Sequence, residues 1–134
     1  MKAVTPRDWS PAKGYANGIT CRPGRMVFVA GQIGWDAQQT FTSDDLVVQT
    51  RQALLNVVAV LRAAEAGPEH IVRMTWYLTD KRDYVARLGD VGQAYREVIG
   101  RNFPAMTAVE VRALIEDRAV VEIECTAVVE EPLV

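Results

Sequence analysis

From Ala119 to Val129 the chain alternates without a break: Ala119, Val121, Ile123, Cys125, Ala127 and Val129 share one parity, and Val120, Glu122, Glu124, Thr126 and Val128 share the other. Period-two patterning of this length is that of a β-strand with one wholly apolar face. A strand of this kind cannot stand alone, because its apolar face has to be buried against another layer. Two segments have the spacing to supply that layer as helices. Leu46, Ala53, Leu54, Val57, Val58 and Leu61 recur at helical intervals, as do Tyr84, Leu88, Val91, Tyr95, Val98 and Ile99. Ser43, followed by Asp44 and Asp45, predicts an N-cap and an acidic first turn for the first helix, and Gly67-Pro68 its stop. The second is expected to end near Gly100.

The remaining segments read as strands. Between the helices, Val72, Met74, Trp76 and Leu78 alternate with Arg73, Thr75 and Thr79, and Tyr77 is the odd member. Before the last strand, Val109, Val111, Ala113 and Ile115 oppose Ala108, Glu110, Arg112 and Leu114. Near the start, Tyr15 to Cys21 and Met26 to Gly31 flank Arg22-Pro23-Gly24-Arg25, which predicts a hairpin; Gly34 to Thr42 predicts a loop. The order strand, strand, helix, strand, helix, strand, strand fits an α+β domain, a mixed sheet with both helices on one face. The other face mixes acids and an arginine with Val120, Val128, Ala108 and Leu114. That is too apolar for solvent and too charged for a dry core, so self-association is expected to cover it.

At 134 residues the chain suits a single domain over 1–134, without repeats or a dividing linker. Pro6 to Pro11 and Glu130 to Val134 read as loose ends. A formal charge of −2 and a pI near 5.4 give no electrostatic footing for nucleic acid. Met1 to Asp8 lacks the apolar core of a secretion signal, and no run approaches the roughly 18 apolar residues of a membrane span; a soluble, cytoplasmic chain is expected. In that compartment Cys21 and Cys125 read as free thiols. His70 is the only histidine, so neither zinc spacing nor a Ser-His-Asp arrangement has support, and its expected place is a loop or strand edge. No glycine pattern forms a phosphate-binding loop, and no metal or organic cofactor is expected. Gly31 suits close approach of a ligand or a second backbone. Glu122 is the leading catalytic candidate, since an acid projecting from a strand into a cleft can position or deprotonate water. Its bland alternative is a salt bridge with Arg112 or with a neighbouring subunit.

Five segments, taken in order, resemble one family. Tyr15-Ala16-Asn17-Gly18 is similar to its Tyr-x-x-Gly entry; Met26 to Ile33 to its apolar strand ending Ser-Gly-Gln-Ile; Gln49 to Val57 to its Gln-Thr-Arg-Gln-x-Leu-x-Asn-Val helix; and Val121 to Ala127 to its Val-Glu-Ile-Glu-Ala strand. Phe103 to Val111 resembles the signature Phe-Pro-Ala-Arg-x-x-Val-Glu-Val of the Rid (reactive intermediate deaminase, or YjgF) family. The resemblance implies a chorismate mutase-like fold and a homotrimer with ligand clefts between subunits. It implies deamination of 2-imino or 2-enamino acids, with Tyr15 bordering the substrate and Glu122 activating water. Four positions depart from the pattern. Met106 stands at the arginine that holds the substrate carboxylate, Gly92 at an asparagine, Ala108 at a cysteine and Ala30 at a serine. A thioether supplies neither the charge nor the planar fork of arginine. The expectation is therefore a small, more apolar ligand whose imine, enamine or related C–N bond is hydrolysed, with Gly31 lining the pocket and Met106 and Trp35 giving apolar contact. The alternative is a trimer that binds a small metabolite without catalysis. Arg101 or Arg112 is a candidate to replace the missing charge. An endoribonuclease label attached to the family has the acidic pI against it.

Overall fold

The structure, a computed structural model, describes residues 1–133; Val134, the end of the tail expected to be loose, lies outside them. In chain order the strands are β1 (Lys2–Val4), β2 (Gly18–Thr20), β3 (Gly24–Ile33), β4 (Ile71–Leu78), β5 (Ala105–Glu110) and β6 (Val121–Glu130). The helices are α1 (Leu46–Ala63), α2 (Lys81–Ala86) and α3 (Leu88–Val98), and a 3-10 turn covers Pro68–His70.

The long alternation at the C-terminus becomes β6, and it organises the main sheet. The order is β3-β6-β4-β5, with β6 antiparallel to both β3 and β4, and β5 parallel to β4. Val121, Ile123, Cys125 and Ala127 are buried as their parity predicts, while Glu122, Glu124 and Thr126 on the other face remain half-exposed. Over the buried face α1 packs against β3, β6 and α3, and Leu54, Val57, Leu61, Ile71, Met74, Trp76 and Ile123 form the centre of one core. The mixed sheet with helices on one face is thus as expected.

Several local expectations are corrected. Cys21 to Arg25 does not close a hairpin: β2 pairs with β1 in a small separate sheet, and β3 pairs with β6. Asp45, rather than Ser43, caps α1, its carboxylate accepting from the Val47 and Val48 amides, and no acid lies in the first turn. The helix closes at Ala63, with Glu65 in the left-handed region, before Gly67. The second predicted helix is two, α2 and α3, broken at Arg87, whose guanidinium bonds Asp45 Oδ1 at 2.5 Å. The strand expected to reach Ile115 ends at Glu110, and Ile115 is 95% exposed. At the other end Glu130 is tied rather than loose, its Oε1 accepting from the N-terminal ammonium at 2.8 Å.

The helix motif around Gln49 proves to be a set of ties. Gln49 is fully buried; its amide donates to the carbonyls of Ser43 and Arg118, and its oxygen accepts from Val120 N. Asn56 donates to the carbonyls of Ile33 and Trp35 at 2.9 and 2.8 Å, fixing the chain as it leaves β3. Gly34 lets α1 approach, because a Cβ there would stand 2.5 Å from that of Gln49.

Candidate functional site

The parallel pairing of β4 with β5 sets Met106 beside Met74 and Ala108 beside Trp76, both at the outer edge of the sheet. Ala16 extends that edge: its N–H donates to Pro104 O at 2.9 Å and it forms a parallel bridge to Ala105, which brings Tyr15 alongside β5. Asn102-Phe103-Pro104 is pinned from below. Asn102 donates to Pro68 O at 2.6 Å, the Tyr95 hydroxyl donates to Asn102 O, and the rings of Tyr95 and Phe103 stack at 5.7 Å. The start of the signature segment is therefore a structural clamp.

Between β5, α3 and the Tyr15 segment lies a groove of about 640 Å³. Of the expected ligand-binding residues, it brings together Tyr15, Gly92, Met106 and Ala108. It includes Arg101, one of the two candidates for the missing charge, and adds residues not expected there, chiefly Trp76, Tyr84, Tyr95 and Arg96. The aromatic floor is the helical stripe of Tyr84, Val91 and Tyr95 meeting Trp76 of β4, with ring centroids 6.3–6.4 Å apart. That stripe was visible in the sequence, but as core. Burial raises the pKa of both Tyr84 and Tyr95, so these phenols remain protonated across the working range. The buried indole N–H of Trp76 has no partner among the described residues. Among the described residues no carboxylate lines the groove, whereas Lys13, Arg96 and Arg101 do. Arg112, by contrast, lies beyond the end of β5 and is not in the lining. A shallower hollow of about 850 Å³ under the N-terminal segment shares Tyr15, Arg101 and Phe103 with the groove.

The other half of the expected site is elsewhere. Ala30 and Gly31 sit where the β3–β6 register shifts, between Val29 and Gln32. The Glu122 carboxyl group occupies the space that a Cβ on residue 31 would need. Gly31 thus gives room to Glu122 of the same chain. Glu122 makes no ion pair among the described residues, with Arg112 or any other cation. Across the strand it pairs in register with Tyr77, whose hydroxyl donates to Glu124 Oε1 at 2.5 Å. That bond, with burial and the charges of both acids, raises the tyrosine pKa. These groups belong to the helix-free face, where a depression of about 400 Å³ is lined by Phe28, Ala30, Arg73, Thr75 and Glu124. Trp35 is in neither place; it packs on Phe41 at 5.8 Å beyond the end of β3.

The remaining titratable groups have local roles. His70 Nδ1 accepts from Gly67 N at 3.0 Å and closes the 3-10 turn. Cys21 is exposed and free; Cys125 is free and buried, its thiol pushed up to about 12 by desolvation first and the Glu124 charge second. Among the described residues, no cluster of three or more His, Cys, Asp or Glu could hold a metal ion, and no helix is long and apolar enough to cross a membrane.

A four-stranded mixed sheet, helices on one face and a groove at the parallel β4–β5 edge define a recognisable class of small α+β domains. This chain belongs to the Rid family, known also as YjgF and RutC: the family model described as "Endoribonuclease L-PSP" matches residues 5–129. It is similar to the RutC family protein PH0854 of Pyrococcus horikoshii, 36% identical over 130 residues, covering 95% of this chain and 98% of that one. It is 34% identical over 114 residues to the 2-iminobutanoate/2-iminopropanoate deaminase of Salmonella typhimurium, covering 85% and 86%. Among solved structures it resembles the Rid family protein YyfB of Yersinia pestis, described as of unknown function, with a TM-score of 0.85, 30% identity and coverage of 96% and 98%.

Proposed function

We propose that three copies of this chain associate through the helix-free faces of their sheets, and that the groove of one copy is completed by the Glu122 side of the next. The observation that carries this reading is the division of the site. Tyr15, Gly92, Met106 and Ala108 line a groove without an acid, while Glu122, Ala30 and Gly31 lie on the opposite face of the same sheet. Phe28, 71% exposed, and Met26, 55% exposed, are apolar groups on β3 that such an association would bury.

In the completed cleft the chain hydrolyses the C–N bond of a small imine or enamine. Glu122 accepts a proton from water as its oxygen adds to the imine carbon, and returns a proton to the nitrogen. The resulting carbinolamine collapses to a carbonyl compound and ammonia. Tyr15 and Met106 hold the apolar part of the ligand from one copy; Ala30 and Gly31 approach from the other. The deaminase among the relatives supports the reaction class, and Met106 separates this chain from substrates bound by an arginine at that position. Glu122→Gln should lower turnover of any active imine by about a hundredfold or more, the range of a lost general base; unchanged turnover sinks the role. Met106→Arg, assayed on 2-iminopropionate generated in situ, should gain deaminase activity.

The second reading is a metabolite-binding trimer without turnover, favoured by the loss of polar side chains at Ala30, Gly92, Met106 and Ala108. Thermal-shift screening followed by turnover assays on the hits separates the two. Ligands that stabilise but are never consumed support binding alone.

A further inference from the structure

Among the described residues, five of the chain's twelve arginines have a side-chain partner. Arg22 and Glu130, Arg51 and Glu97, Arg87 and Asp45, and Arg118 and Asp44 are paired, and Arg25 donates to Ala64 O. Arg96 and Arg101 are among the seven that make no ion pair or side-chain hydrogen bond with the described residues, and of those seven they alone line the groove. They stand in the last turn of α3 and just past it, where the helix dipole favours cations without a carboxylate. Gly92 bears on this. One turn before Arg96, a Cβ at position 92 would stand 3.1 Å from Arg96 Nη1, tighter than ordinary contact, so the guanidinium lies against the helix where glycine leaves space. A glycine inside an exposed helix costs about 0.5–1 kcal/mol relative to alanine. Arg101 in turn is shared between the groove and the hollow beneath the N-terminal segment.

We infer that the anionic group of the ligand binds at Arg96 and Arg101 rather than at position 106, and that the groove takes amphiphilic organic acids whose apolar or aromatic body rests on Met106, Tyr84 and Phe103. This deepens the proposed function and rests on its reading of the groove as the ligand cleft. Two guanidinium groups unpaired among the described residues, beside an apolar floor and with no carboxylate among the described residues of the lining, form a site for a carboxylate or another oxyanion. Because the charge is met at the α3 end, specificity shifts away from the smallest 2-imino acids.

The test uses the full chain, with 3-phenylpropionate and its neutral amide, 3-phenylpropanamide, as probes in calorimetric titrations. The acid should bind at least about tenfold more tightly than the amide, and added salt should weaken the acid alone. Arg96→Gln combined with Arg101→Gln should erase the preference. Arg96→Lys with Arg101→Lys should keep part of it, and Arg62→Gln, an exposed arginine outside the groove, should keep it all. Equal binding of acid and amide, absence of binding by either, or a preference that survives the double glutamine variant overturns the inference. If imines are turned over through Glu122 but the glutamine pair leaves KM for anionic substrates unchanged, the anion site falls and hydrolysis stands. If the arginine-dependent preference holds and no imine is consumed, the reverse is concluded.

Discussion

At the scale of single residues, the most informative contact is that of Gly31 with Glu122. The alternating pattern identifies Glu122 as an acid on a strand, and Gly31 as a place of close approach; the structure makes each the reason for the other. The colliding atoms all belong to a side chain that can swing away, so Gly31→Ala should change stability by no more than about 0.5 kcal/mol. It should nevertheless displace the carboxyl group and lower turnover much as Glu122→Gln does. The two changes combined should cost little more than either alone, as expected for groups in contact. Additive losses in the double variant would show that Gly31 and Glu122 act separately. Met106 differs in kind: the sequence alone shows what is missing there, but only the groove shows that Arg96 and Arg101, and not Arg112, are near enough to matter.

At the scale of elements, the errors of sequence reasoning share one cause: partners are not written locally. Pro23-Gly24 is a sound turn signal, yet β3 takes the long β6 as its partner and leaves β2 to β1. The alternation through Ile115 is real, but β4 ends at Leu78, and after Val111 N donates to Leu78 O the chain has no ladder to continue. The break falls at Arg87, which also makes a tertiary bond to Asp45, the cap of α1. Asp45→Ala should therefore remove the cap and free Arg87, destabilising the fold by about 1–2 kcal/mol in urea unfolding. The Asp45 pKa is lowered, first by the Arg87 hydrogen bond and then by the Val48 amide, below its ordinary 3.8. The associated stability is present above that ordinary value and is lost as pH falls toward the depressed one. The gap between wild type and variant should narrow in acid; a gap independent of pH would contradict the assignment.

At the scale of the whole molecule, one face of the sheet is closed by α1 and α3 and the other is left to Tyr77, Glu122, Glu124 and the exposed Phe28. If three copies meet there, light scattering should give three times the chain's 14.8 kDa. Phe28→Glu should yield single chains that remain folded and lose turnover, because each groove then lacks its facing acid. A wild-type chain that runs as a monomer at assay concentration would refute the shared cleft.

The sequence by itself determined the layers. Period-two and helical spacing are carried by each segment alone, so β6, β4, α1 and the apolar stripe of α3 are legible without knowing what they touch. It also marked the family through short ordered segments such as Gln49 to Val57, whose buried amide ties explain why those residue types are needed. What the tertiary structure alone decided is pairing and proximity. Which strand lies beside β3, which residues line the groove that Glu122 does not enter, and which arginines face it all depend on contacts between residues far apart in the chain, set by the burial of the whole core.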